Sequence, residues 1–187
     1  LIHFRTPLMY KVHVEPLITV PQGQIAYVFA RDGQVLEPTQ TLAKVVHESN
    51  NFQDVRAFLT NGGQKGPQRG IIREGTYAFN LAAFVIITEN KTYSLKLGDK
   101  LEQQNIANMS RIIAERNGFR PIIIEGTSDL VGIVTVHDGP SLGSDSIICP
   151  TVGDKADEPN YHNNFQDIDA FLRAGGFRGR QYQVLAD

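Results

Sequence analysis

The chain has 187 residues, is 41% hydrophobic and 20% charged, and carries a formal net charge of -2. That balance is typical of a globular chain of one or two domains, and it argues against extended disorder and against a global attraction to nucleic acid. The longest apolar run, Leu81 to Ile87, is far short of the ~20 residues that span a bilayer, and the lone Cys149 cannot form an intramolecular disulfide.

The first expected element runs from Tyr10 to Val20, where Tyr10, Val12 and Val14 alternate with Lys11, His13 and Glu15. It is a half-buried strand that stops before Pro16 or continues past it with a kink. Ile25 to Ala30 is apolar on both faces and ends in Asp32-Gly33, as expected of a buried strand entering a turn. A loop with Pro38 leads to Asn50-Asn51, which can cap a helix of two to three turns bearing Phe52, Val55, Phe58 and Leu59 on one face. Gly62-Gly63 can stop that helix. A further extended piece begins at Ile71-Ile72. Ala82 to Thr88 is the strongest strand by composition, and Glu89-Asn90-Lys91 turns it into Thr92 to Leu97 as a hairpin. Gln104 to Asn117 is the second helix, with Ile106, Met109, Ile112 and Ile113 as its stripe and Gly118 as its stop. Pro121 to Glu125 and Leu130 to Val136 are read as two more strands.

The chain then repeats itself. Asn50-Asn51-Phe52-Gln53-Asp54-Val55-Arg56-Ala57-Phe58-Leu59 returns as Asn163-Asn164-Phe165-Gln166-Asp167-Ile168-Asp169-Ala170-Phe171-Leu172. Gly62-Gly63 and Gly66 return as Gly175-Gly176 and Gly179, and Gln68 as Gln181. Upstream, Ile25 to Gly33 corresponds to Val131 to Gly139. The added residues of the second copy belong in the polar stretch Gly153 to Pro159. The preserved positions are caps, apolar contacts and stops. They specify a unit too small to bury its own apolar face, so it must pack on neighbours.

Two segments of the first copy carry a resemblance. Val20-Pro21-Gln22-Gly23-Gln24-Ile25-Ala26-Tyr27-Val28 and Gln68-Arg69-Gly70-Ile71-Ile72-Arg73-Glu74-Gly75-Thr76-Tyr77 resemble the SPFH/band 7 family of flotillin- and prohibitin-like proteins. The duplication also makes the chain more distantly similar to major vault protein. The resemblance implies an α+β fold of two related SPFH-type modules of mixed strands and short helices, the second incomplete. The expected division is an N-terminal strand or linker over 1–19, a first module over 20–97, a helix-containing connector over 98–127 and a second module over 128–187. It further implies a non-enzymatic, membrane-associated scaffold, on the cytoplasmic side, that homo-oligomerises into a ring or cage and organises membrane-protein clients. Both ends are expected to continue, into a membrane anchor upstream and a coiled coil downstream.

No catalytic, cofactor-binding or metal-binding residue is assigned. Gly62 to Gly70 is glycine-rich but follows a helix, and no Ser or Thr follows Lys65, so it fails as a phosphate loop. Lys65, Arg69 and Arg73, echoed by Arg178 and Arg180, read as a solvated basic loop, with contact to lipid phosphate or acidic neighbours as the sharper alternative. His3, His13, His47, His137 and His162 lack metal-ligand spacing with one another or with Cys149. His137 reads as a polar turn residue and Cys149 as a small buried hydrophobe. Gly139-Pro140-Ser141-Leu142-Gly143 matches a hydrolase elbow in letters only, because an extended segment follows it. Two other functions stay open: a protein-binding adaptor without assembly, and a hydrolase using Ser141 or Cys149.

Overall fold

The computed structural model describes residues 9–96, 98–124 and 130–186. Within them, antiparallel sheets and three α-helices form a mixed fold compatible with the α+β class. The central sheet is built from β2 (Ala26–Ala30), β3 (Gly66–Ile72), β5 (Phe84–Ile87) and β6 (Thr92–Tyr93), in the order β3-β2-β5-β6. A two-stranded ribbon joins β1 (Ile18–Val20) to β4 (Gly75–Tyr77), with Thr19 opposite Thr76. A second ribbon joins β7 (Gly132–Val136) to β8 (Gly179–Leu185).

The period-two alternation of side chains gives the central sheet two apolar faces. Ala26, Val28, Ala30, Phe84 and Ile86 pack against Phe52 and Phe58 on one face. Phe29, Val85 and Ile87 pack against Ile106, Ile113 and Phe119 on the other. Ile106 and Ile113 project from α2 (Lys100–Glu115), so the expected connector closes the first unit's core. Asp99 caps α2 by accepting from the Glu102 N–H, which starts the helix ahead of the expected Gln104.

The two copies of the repeat have the same local geometry. Asn50, Asn51 and Phe52 have φ of 50°, 53° and 62°; Asn163, Asn164 and Phe165 have 45°, 53° and 63°. This left-handed run precedes α1 (Val55–Thr60) and α3 (Ile168–Arg173). The asparagines are therefore not the N-caps of these α-helices. Asp54 and Asp167 cap, accepting from the N–H groups of Ala57 and Ala170. Asn tolerates the left-handed region better than other side chains, which explains the doubled Asn. Phe52 is held there by burial against Phe58 and Phe84, with ring centroids 5.8 and 5.5 Å away. Each helix is shorter than expected because its first three motif residues belong to the turn.

Gly63 and Gly176 follow the helices where a Cβ would collide with the rings of Phe58 and Phe171. The strand pairing also repeats. Ala30 opposes Gly66 as Val136 opposes Gly179, and the register shifts at the same place in both ladders. The copies differ most in the loop before the left-handed turn. Ser49 Oγ donates to the Val46 carbonyl and accepts from the Phe52 N–H. His162 spans a wider gap, with Nδ1 accepting from the Phe165 N–H and Nε2 bonded to the Val152 carbonyl. The added residues thus lie between Val152 and His162, where the polar stretch was expected to hold them.

Several expected strands are corrected. Residues 9–17 have no regular structure, and Val12 and Val14 face solvent; only Ile18–Val20 pairs. The extended piece expected at Ile71 begins at Gly66, whose backbone already pairs with Ala30. Among the described residues Pro121 to Ile124 pairs with no strand, and Ile122 and Ile123 are exposed; Glu125 lies outside the described residues. The hairpin forms, but only Thr92–Tyr93 pairs with β5, and Leu97 lies outside the described residues. His3 also lies outside them.

Candidate functional site

The basic residues expected to form one solvated loop have separate fates. Arg69 lies on β3 with its side chain 6% exposed. Its Nη2 donates to Asp138 Oδ2 at 2.6 Å and its Nε to the same oxygen at 3.2 Å, while Nη1 bonds Asp169. Asp138 sits in the turn after β7 and Asp169 in the first turn of α3. Asp138 Oδ1 also accepts from the backbone N–H groups of Thr41 and Leu42. Arg69 is thus a buried tie between the two units. Burial pushes the Asp138 carboxyl upward, but hydrogen bonds from the Thr41 N–H, Arg69 and the Gly139 N–H, together with the Arg69 charge, outweigh it and hold its pKa below the ordinary value.

The tie was not legible because Asp138 resembles a plain turn residue. A signal was present nevertheless. Asp169 stands where the first copy has Arg56, and Tyr182 stands where it has Arg69. A pairing between copies reads as a charge lost or reversed between them.

Beside the tie, α2, β2 and the start of β3 enclose a cleft of about 760 Å³ that extends to His137 and Arg178 of the second unit. Tyr27, Phe29, Met109 and Ile113 give it an apolar wall. Tyr27 is fixed there by donating its hydroxyl to the Gly118 carbonyl at 2.5 Å, and burial raises its pKa. Lys65, Arg116 and Arg178 line the cleft with exposed side chains, and among the described residues no carboxylate lines it. None of these three makes an ion pair among the described residues; Arg178 Nη2 donates to Ser141 Oγ at 2.5 Å. Burial and the nearby Arg116 charge lower the His137 pKa, so the imidazole is biased to its neutral form. A second hollow lies along another face of α2, but there Arg31 is already paired with Glu102.

The other candidates are accounted for by packing. Gln68 Nε2 donates to the carbonyls of Gln64 and Gly66, and Gln181 repeats this with Phe177 and Gly179. The glycine-rich segment is therefore bonded internally and opens a strand, not a helix. Cys149 is fully buried, bonded through its backbone to Arg180 and Tyr182. Ser141 has Arg178 as its side-chain partner, not a histidine. Arg73 and Arg180 are exposed. Among the described residues no helix is long and apolar enough to cross a membrane, and no cluster of side chains could hold a metal ion. No protein-family model, no curated protein and no solved structure matches the chain.

Proposed function

We propose that this protein is a non-enzymatic, membrane-associated scaffold of the SPFH/band 7 kind, built on a duplicated module and assembling with copies of itself into a ring or cage. The observation that supports the reading is the fidelity of the repeat: both copies keep the left-handed Asn-Asn-Phe turn, the aspartate-capped helix and the shifted register of the strand ladder, and Arg69 joins one copy to the other through Asp138 and Asp169. Small repeated units that bury their apolar faces on neighbours are suited to building by stacking.

The test is electron microscopy of the full-length protein. The reading expects large closed assemblies. An adaptor that binds another protein without self-association would instead give a defined heterocomplex in a pull-down. Ester and peptide substrate profiling, with Ser141→Ala and Cys149→Ala controls, tests the hydrolase alternative; the scaffold reading expects no activity that either change abolishes.

A further inference from the structure

We infer that the cleft between α2 and the central sheet binds an amphipathic anion, an acyl or alkyl chain carrying a carboxylate or phosphate head group. The inference does not depend on self-assembly. Its volume, about 760 Å³, falls within the range of small-molecule sites. Two chemistries meet in it, and each selects one end of such a ligand.

The interior selects the tail. Tyr27 and Phe29 come from the sheet face, and Met109 and Ile113 from the helix above it. Met109 is only partly buried in the parent core, so a chain lying along it would remove further apolar surface from water. Methionine is well suited to such a wall, since its unbranched thioether adapts to irregular shapes.

The rim selects the head. Lys65 stands before β3, Arg116 follows α2, and Arg178 comes from the second unit before β8. Three cations from separate parts of the chain line the cleft, with no carboxylate among its described lining residues. Arg69 lines it too, but is answered by Asp138 and Asp169. The fold therefore neutralises the buried cation and leaves the rim cations uncompensated. Burial lowers the His137 pKa, and repulsion from the Arg116 charge lowers it further. A bound anion would relieve that repulsion, and charge-assisted hydrogen bonds from arginine are among the stronger polar contacts.

The test is isothermal titration calorimetry of the full-length protein with dodecyl phosphate, held below its micelle concentration. Inorganic phosphate, dodecyltrimethylammonium and vesicles containing anionic phospholipid are titrated in parallel. The expected result is saturable binding of one dodecyl phosphate per chain, with inorganic phosphate and the cationic amphiphile each at least about tenfold weaker. Arg116→Gln should weaken binding by about tenfold, the loss of one charge-assisted contact. Met109→Gln, which keeps the side-chain length and adds no charge, should weaken dodecyl phosphate binding but leave inorganic phosphate unchanged, and circular dichroism should show both variants folded. An imidazole resonance assigned to His137 should titrate at higher pH in the complex. The inference is overturned if dodecyl phosphate does not saturate, if the cationic amphiphile binds as well, or if both variants bind like the parent. Binding to vesicles without binding to the monomeric amphiphile would also overturn it, and would assign the anion affinity to a membrane surface.

Discussion

Arg69 Nη2 stands 2.6 Å from Asp138 Oδ2, so a side chain on the first unit's return strand is neutralised by the turn that ends the second unit's first strand. Both side chains are almost fully buried, at 6% and 3% exposure. Removing one partner of such a pair leaves an uncompensated buried charge. Arg69→Ala should therefore destabilise the protein by about 3–5 kcal/mol. The double change Arg69→Met with Asp138→Asn should cost markedly less. Urea denaturation of the three proteins checks both.

Asp138 also fixes a pH dependence. Its folded-state pKa lies below the ordinary carboxylate value. Between the two values the unfolded chain binds more protons, so stability rises with pH there. The contribution is complete above about pH 4 and is lost as pH falls through the folded-state value. Thermal unfolding of the parent should weaken more steeply in acid than that of Asp138→Asn, measured between neutral and strongly acidic pH.

The helix starts distinguish two roles within one motif. Asp54→Ala and Asp167→Ala should each cost about 1 kcal/mol, because each carboxylate accepts from an N–H of the first helical turn. Asn51→Val should destabilise by a different route, by forcing a β-branched residue into a left-handed position. Asp54→Ser and Asp167→Ser, which keep a capping oxygen, should recover most of the first loss, as read by denaturation midpoints.

Two glycines, one from each copy, separate collision from backbone strain. Gly63→Ala places a Cβ about 2.5 Å from the Phe58 ring, an overpacking that costs about 1–3 kcal/mol. Gly175 has open space around it but a φ of +88°, so Gly175→Ala carries only the left-handed penalty of about 1–2 kcal/mol. Adding Phe58→Leu should offset much of the first loss, whereas no neighbouring truncation should offset the second. Melting temperatures of the single and double variants provide the check.

The repeat was legible because its constraints are local. Gly63 under Phe58, Gln68 bonded to Gln64 and Gly66, and the doubled Asn all leave residue types that return in the second copy. What the doubled Asn does was not legible. A cap and a left-handed turn favour the same residue, and only the backbone angles separate them. The strand expected from Tyr10 fails because alternation describes a face and not a partner; pairing begins only where Ile18 meets Tyr77. The cleft was hidden for a related reason. Lys65, Arg116 and Arg178 are far apart in sequence and meet only because α2 folds back over β2. Grouping basic residues by proximity in the chain joined Arg69 to Lys65, although one is paired and buried and the other stands at a rim.

The central claim is that this duplicated unit serves self-assembly. Native mass spectrometry of the full-length protein in mild detergent tests it most directly. The account predicts a discrete, high-order homo-oligomer. A strictly monomeric protein under those conditions would contradict it.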